Sequence, residues 1–275
     1  MAYLRLKDYQ RFIDLKQLDE VTDENDYTRV DLEPTSEEEA IIYLVQKYDT
    51  VREFSSLDVY DPTLTYKALS KVYLDANLYA SGAKVANQTL ALGSDGFIYL
   101  NTTGADSNPV TVPVNWAKLG KQYTFFYGKL PFAEWDWQKS YKTNVTIWYK
   151  DHTYTSKNES KGIAPDDEDN GLNFWTDLGE YTIAINAITD TSKWSTGDIR
   201  CQKLVECVVM LTLYKLYKHT ATSNVPEWIG QSYEDSIKWL TGAGQGVFTP
   251  PLKELANLVG HRIRITGNPK NVNIY

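Results

Sequence analysis

The residues of this chain most able to do chemistry are its histidines and a few closely spaced acids. His152, His219 and His261 stand far apart, and none belongs to a His-x-x-x-His pair. No Gly-x-Ser-x-Gly sequence is present to hold a nucleophilic serine. Glu134 and Asp136 could pair as acid and base for sugar hydrolysis, but a pair this close in a linker is no better than chance. We therefore predict no catalytic residues and no enzyme activity.

One run of carboxylates comes close to a calcium-binding loop. Asp166 to Gly171 matches loop positions 1, 3 and 5 and the glycine at position 6, and Asp177 stands at position 12, where a longer Glu is expected. The flanking helices of such a loop are missing. A solvated turn is the simpler interpretation, and an opportunistic cation site is the alternative. We predict no metal and no cofactor.

Cysteine and glycine spacing adds no chemistry. Cys201 and Cys207 lie six residues apart in one predicted helix, about 120° apart around its axis, so they cannot pair with each other and are expected to be buried thiols. The glycines at 242, 244 and 246 follow a predicted helix. They are expected to end it, because a nucleotide-binding loop would connect a strand to a helix.

A repeated aromatic signature occupies the middle of the chain. Trp116-Ala-Lys-Leu-Gly recurs as Trp175-Thr-Asp-Leu-Gly, and strand-like stretches with Tyr99 and Tyr154 precede the two copies. Repetition on this scale indicates duplicated modules. Such aromatic residues usually pack in a core. The alternative is a face that contacts a sugar or a protein, and Tyr99, Trp116, Tyr154 and Trp175 are its candidate residues.

Helical patterns flank this β-rich region. A first helix is predicted over Leu6 to Leu18, and a second starts after Pro34, with Ser36 as cap and Glu39 completing a capping box, and ends near Phe54.

After the β-rich region, Asp198 is predicted to cap a helix that is apolar almost all round and therefore buried. Pro226 is predicted at the first position of another helix. Trp194-Ser-Thr-Gly197 could close a third, truncated repeat.

These patterns predict an α+β protein in which a helical core is interrupted by a duplicated all-β insertion. The core of about four helices comprises residues 1–57 and 198–250. Residues 58–136 form the first β module and residues 137–197 the second. Residues 251–275 form an extended arm.

Composition limits the class of protein. The chain has 275 residues, 42% hydrophobic and 23% charged, which is ordinary for a globular protein. No stretch approaches the roughly 18 apolar residues of a membrane span, and the first residues lack a secretory signal, so a cytosol-like compartment and no membrane partner are expected. The net charge of −8 argues against a protein that wraps nucleic acid.

Three segments resemble the C-terminal half of the head-to-tail connector proteins of tailed phages, the Mu-type connector family. They are Asp198 to Tyr217, Asn224-Val-Pro-Glu and Tyr233 to Leu240. The N-terminal helices through Tyr48-Asp49 resemble the first half. The insertion and the ending from Arg262 are similar to the longer version in phages of Bacteroides, including crAss-like phages.

This resemblance implies a structural virion protein. About twelve copies would form a ring at the head-tail neck, join the portal to the tail and further ring proteins, and line a channel through which DNA passes without specific contacts. An acidic wall suits such a channel, because like charge weakens contact with phosphates. The protein would be assembled in the host bacterial cytoplasm and reside in the virion.

The arm is the candidate segment for binding the portal or a neighbouring subunit. Its alternating sequence is suited to adding a strand to the edge of a sheet. The candidate residues are Arg262, Ile263, Arg264, Ile265, Lys270 and Tyr275.

The inserted modules also resemble the small aromatic β modules of chitinases, in which Tyr and Trp stack on sugars. The first copy departs from that pattern, because the stretch from Leu74 to Gly82 lengthens it. The alternative function is therefore recognition, with the β modules binding a host glycan or another tail protein.

Overall fold

The computed structural model describes residues 3–22, 26–62, 64–75, 90–103, 115–183, 187–220 and 225–255. Both helices and small sheets are present, which confirms the α+β class. The described helices are α1 (Leu6–Tyr9), α2 (Leu15–Val21), α3 (Asp26–Leu44), α4 (Thr50–Glu53), α5 (Gly171–Phe174), α6 (Gln202–Thr220) and α7 (Glu227–Gln245), with a 3₁₀ turn at Ala187–Thr189.

The described strands are short. In chain order they are β1 (Leu57–Val59), β2 (Tyr66–Lys67), β3 (Lys71–Tyr73), β4 (Leu90–Leu92), β5 (Phe97–Asn101), β6 (Trp116–Lys121), β7 (Phe125–Gly128), β8 (Ser140–Tyr141), β9 (Thr146–Tyr149), β10 (His152–Ser156), β11 (Ser160–Lys161), β12 (Trp175–Glu180), β13 (Thr182–Ile183) and β14 (Trp194–Thr196).

Both ends of the chain contribute to one helical core. Its buried side chains come from residues 3–48 and 201–252, and α6 lies at its centre, packed against α3 and α7. Helix α6 is apolar nearly all round, so it is stable only when neighbouring helices cover it. Within the described residues, no helix combines the length and the apolar character needed to cross a membrane.

The N-terminal helices differ from the prediction. The first predicted helix is two short helices, because the chain turns at 10–13 and Asp14 caps α2 by accepting from the Lys16 N–H. Helix α3 runs straight through Pro34, and Ser36 is not a cap: its hydroxyl donates to the Leu32 carbonyl inside the helix. Proline removes one backbone donor, and packing of α3 on α6 and α7 outweighs that loss.

The C-terminal helices differ in their ends. Asp198 does not cap α6, because its carboxylate accepts from the Arg200 side chain instead. Two of the glycines predicted to end α7 lie inside it, and Gly246, with φ +75°, ends it. Gly244 is required by packing, since a Cβ there would lie 2.1 Å from the Tyr43 carbonyl oxygen of α3.

Among its described residues, the insertion contains three antiparallel three-stranded units of one design, besides the two-stranded pairs β8-β11 and β2-β13. Unit 1 is β3-β7-β14, unit 2 is β4-β5-β6 and unit 3 is β9-β10-β12, and β1 adds to unit 1 as a parallel edge strand. The third strand of each unit begins with a tryptophan that pairs with the middle strand. The pairs are Trp194 with Gly128, Trp116 with Asn101 and Trp175 with Ser156.

The units are nested and not consecutive. Unit 2 lies in the chain between β3 and β7, and unit 3 lies between β7 and β14. The predicted division into modules 58–136 and 137–197 is therefore wrong, because the sheet of unit 1 crosses it. The prediction that Trp194-Ser-Thr-Gly197 closes a third repeat is confirmed, but that repeat is not truncated: it is unit 1, whose other strands are β3 and β7.

Units 1 and 3 also open in the same way. The Tyr66 hydroxyl bonds the backbone of Asp61, and the Tyr141 hydroxyl bonds the backbone of Asp136. Leu69 and Asn144 take the same left-handed conformation just before β3 and β9, with φ of +66° and +67°. The two openings are thus alike in their hydrogen bonds and in their backbone conformation.

A buried charge network joins the two ends of the helical core beside the insertion, and its central residue also touches unit 1. Arg200 is almost fully buried and donates to the Tyr3 carbonyl at 2.7 Å and to the carboxylates of Asp8 and Asp198. Its guanidinium also lies over the ring of Phe125 in unit 1. The attachment of unit 1 to the helical core at Arg200 therefore depends on contacts that form only when both the core and unit 1 are folded.

We expect the helical core to fold without the insertion. Replacing residues 58–197 by a short Gly/Ser linker removes no member of the helical core cluster, and short linkers cost little extra loop entropy. The shortened chain should keep its helical circular dichroism and a cooperative thermal transition, at a lower Tm because contacts such as that of Arg5 with Tyr73 are lost. A chain with no cooperative transition would contradict this.

We expect both cysteines to be unreactive in the native protein. Cys201 and Cys207 are free and buried, and burial raises the pKa of the Cys207 thiol to about 12 and also raises that of Cys201. Because the thiolate is the reactive form, Ellman's reagent at pH 8 should modify neither thiol until guanidinium unfolds the chain. Rapid modification of the native protein would show that the helical core opens locally.

Candidate functional site

Three of the four predicted contact aromatics are core residues. Trp175, Trp116 and Tyr99 are 1%, 4% and 5% exposed. The Trp175 indole N–H donates to the Ile163 carbonyl at 3.0 Å, so even its polar atom points inward. A sheet of three short strands has few positions for a core, and a large aromatic ring fills it. Their assignment as contact residues is therefore wrong.

Tyr154 is the exception, and its neighbours form an aromatic face on unit 3. This aromatic face consists of Trp135, Tyr149, His152 and Tyr154, all partly exposed. The Tyr149 ring lies edge-on to Trp135 at 5.4 Å and to Tyr154 at 6.4 Å, and His152 stacks on Tyr154 at 6.1 Å. Alternation along β9 and β10 puts Tyr149, His152 and Tyr154 on one side of the sheet.

Two carboxylates border the aromatic face. Asp166 accepts from the Tyr149 hydroxyl at 2.8 Å and from the Lys150 ammonium at 2.5 Å. Partial burial opposes ionisation, yet these two donors hold the pKa of Asp166 below its usual range. Asp177 accepts from Nδ1 of His152 at 2.9 Å when that nitrogen carries a proton, and the pKa of the Asp177 carboxyl is also lowered. The face thus combines ring surfaces with ionised acceptors.

Unit 3 leaves partly exposed one position that unit 1 buries. By register, Tyr154 corresponds to Phe126: Tyr154 pairs with Ile147 and Phe126 with Val72, and each of these partners lies three residues after the left-handed Asn144 or Leu69. Phe126 is buried in a cluster shared with unit 2, which includes Ile98. Tyr154 instead packs at the edge of the smaller core of unit 3, which contains Tyr141, Ile147 and Trp175, and it stays partly exposed.

The carboxylate run does not form a cation site among the described residues. Asp166 is engaged by Tyr149 and Lys150, and Asp167 accepts from the backbone N–H groups of Asp169 and Asn170. In that part of the chain, no group of three or more metal-ligating side chains comes together. The run forms the solvated turn that was the simpler interpretation.

The arm residues Arg262, Ile263, Arg264, Ile265, Lys270 and Tyr275 lie outside the described residues. The base of the arm is described. The Asp49 N–H donates to the Lys253 carbonyl at 2.8 Å, and the Leu255 N–H donates to the Lys47 carbonyl at 3.0 Å. These bonds fix the start of the arm along the link between α3 and α4.

Trp135 and Tyr149 were not identified from the sequence. The alternation Val145, Ile147, Tyr149 places Tyr149 on the side of its strand that faces the unit's core, and β9 carries it to the edge of that core. The alternation in the sequence therefore indicated which side of β9 Tyr149 is on. It could not indicate whether a residue on that side lies in the buried centre of the core or at its exposed edge, because that depends on the neighbouring units.

Comparisons with family models, with curated proteins and with solved structures give no match for this chain.

Proposed function

We propose that this chain is a structural virion protein that forms a ring at the head-tail neck, joins the portal to the tail and lines the DNA channel. The observation that carries the proposal is that both ends of the chain build one helical core, which the Arg200 ion pairs tie together. The insertion is attached to it by contacts such as Arg5 with Tyr73 and Arg200 with Phe125. A helical body with grafted β units suits an assembly protein, in which the body forms the ring and the grafted part makes additional contacts.

Charge on the helical part is consistent with a channel wall. The first 54 residues contain 14 acids and 7 basic residues, a local balance of −7. Among the described acids of α3, Asp31 and Glu38 are exposed, whereas Glu33 and Glu37 are buried. Acidic surface weakens non-specific contact with DNA, because affinity for phosphates comes from lysine and arginine.

The test is the assembly state of the full-length chain. Native mass spectrometry and electron microscopy are run on the protein alone and mixed with the portal protein, with a chain ending at Leu255 as the matched variant. We expect rings of about twelve subunits, which are weakened or lost without the arm. A protein that stays monomeric with the portal, and that antibodies do not locate at the neck of particles, would refute the proposal.

A second candidate function is recognition through the aromatic face of unit 3. Exposed tyrosine and tryptophan with flanking hydrogen-bonding groups are enriched in protein interfaces and also stack on sugars. We place protein contact first, because a neck protein must bind other virion proteins.

A glycan array and a pull-down from disrupted particles distinguish these ligands. Tyr149→Ala and Tyr154→Ala are compared with Leu172→Ala, which removes an exposed side chain on α5, outside the strands of unit 3. Loss of a protein partner with the two tyrosine variants alone supports protein contact. Glycan binding that the tyrosine variants abolish, without any protein partner, would reverse the order.

A further inference from the structure

A cleft lies where the helical core, unit 1 and unit 3 meet. Its volume is about 380 Å³, at the small end of the roughly 300–1,000 Å³ typical of ligand sites. Helix α4 contributes Arg52, unit 1 and its opening contribute Lys67 and Lys71, and unit 3 contributes Trp148 and Asp151. The cleft exists only because three parts of the chain pack together.

Ion pairs between these parts hold the walls in place. The Lys67 ammonium lies 3.2 Å from Asp151 and 2.6 Å from Glu180, which ties unit 1 to unit 3. Arg52 lies 3.3 Å from Glu134, which ties the helical core to the segment that opens unit 3. These cations therefore already have anionic partners in the walls.

Lys71 differs from Lys67 and Arg52 because it is buried and forms no ion pair among the described residues. It is 5% exposed, and its ammonium donates to the backbone carbonyls of Arg52 and Glu53 at 3.0 and 2.6 Å. An ammonium has three N–H donors, and in the described part of the chain no carboxylate lies within ion-pair distance of it. Burial lowers the pKa of Lys71, although the charge of nearby Glu53 opposes this.

Trp148 supplies a second unused donor. Its side chain is 7% exposed, and its indole N–H is buried without a hydrogen-bond partner among the described residues. Buried donors are nearly always paired, because an unmade hydrogen bond costs the full loss of hydration. Trp148 and Lys71 both line the same cleft.

We propose that this cleft binds a carboxylate, which accepts hydrogen bonds from the Lys71 ammonium and the Trp148 indole. A carboxylate has one negative charge for the unpaired cation and two oxygens for the two donors. A phosphate is disfavoured, because its greater charge at pH 7 meets the acids Asp49, Asp58, Glu134 and Asp151 around the cleft. The site goes beyond the proposed function and does not depend on ring formation.

The carboxylate could come from a free organic acid or from the end of a polypeptide chain. Nuclear magnetic resonance of ¹⁵N-labelled full-length protein resolves the indole N–H signals of its eight tryptophans, and Trp148→Phe identifies that of Trp148. The ligands are acetate, a short peptide with a free C-terminal carboxylate, the same peptide as an amide, and chloride at matched ionic strength.

We expect acetate and the acid peptide to shift the Trp148 signal saturably, and the amide and chloride to leave it unchanged. Lys71→Met should weaken binding at least about tenfold, because a charge-assisted hydrogen bond is lost. The control Lys150→Met removes an exposed lysine outside the cleft and should have no effect. Tighter binding of the peptide than of acetate identifies a chain terminus as the ligand, and equal binding identifies a free acid.

If Lys71→Met does not fold, calorimetry of acetate binding to Trp148→Phe provides the second measurement, with the same expected weakening. The proposal is overturned if no carboxylate gives a saturable shift in the native protein. It is also overturned if the amide or chloride gives the same shift as the acid, or if the folded Lys71→Met variant binds as the native protein does.

Discussion

Replacing Arg200 with methionine is expected to destabilise the folded chain by about 3–5 kcal/mol, the range for breaking a buried ion pair by removing one partner. The guanidinium bonds Asp8 at 2.9 and 3.0 Å and Asp198 at 2.7 Å. The pair with Asp8 is shielded from solvent, since the side chains of Arg200 and Asp8 are 1% and 3% exposed, whereas that of Asp198 is 18% exposed. Without the arginine, the Asp8 carboxylate would remain buried without its cation. Urea denaturation followed by circular dichroism measures the change in the free energy of unfolding.

The matched control for this prediction is Lys203→Met. Lys203 pairs with Glu206 at 2.7 Å on the exposed side of α6, so its loss should cost less than about 1 kcal/mol. Combining Arg200→Met with Asp8→Asn should recover part of the loss, because the double variant no longer buries an unpaired charge. Equal effects of the Arg200 and Lys203 substitutions would show that the buried network contributes no more to stability than an exposed ion pair.

Replacing Trp194 with alanine is expected to cost about 3–5 kcal/mol and to unfold unit 1 together with unit 2. Trp194 is buried in the cluster that units 1 and 2 share, and its ring meets Tyr66 edge-on at 5.6 Å. If the insertion were divided at residue 136, Trp194 would not belong to the first module. Hydrogen exchange measured by mass spectrometry should show lost protection over β3, β5 and β7.

Trp228→Ala is the control for this substitution. Trp228 lies on α7 with 45% of its surface exposed, and surface changes of this kind usually have small effects. Loss of protection limited to residues 194–197, with β5 and β7 unaffected, would contradict the nested arrangement of the units.

The sequence predicted the kinds of secondary structure in the fold better than the way in which the strands are connected. The Trp-x-x-Leu-Gly signature identified the third strands of units 2 and 3, but the third strand of unit 1, Trp194-Ser-Thr-Gly197, lacks the leucine and lies 66 residues beyond Gly128 in the chain. Hydrogen bonds between strands leave little trace in local sequence. Nesting therefore could not be recognised from the repeat alone.

Local rules failed where packing opposed them. Pro34 and Ser36 have the properties of a helix start, yet α3 continues through both because it packs against α6 and α7. Residue type also indicated aromatic positions without telling how far the core of each unit extends. Trp175 and Tyr154 lie on the same face of one short sheet, yet Trp175 is buried in the core and Tyr154 packs at its edge, partly exposed.

The two grafted units begin and end at neighbouring backbone positions. Leu74 donates to the Thr124 carbonyl and accepts from the Tyr123 N–H, so the ends of the segment that carries unit 2 are already joined by hydrogen bonds. The Lys129 N–H likewise donates to the Lys193 carbonyl across the base of unit 3. The backbone of unit 1 is therefore closed at both positions, but the side chains are not independent: unit 2 supplies Ile98 and Leu100, and the segment of unit 3 supplies Ile183 and Ile188, to the core that contains Trp194. An exchange of either segment as a cassette would keep these backbone junctions and would need new apolar side chains to fill that core.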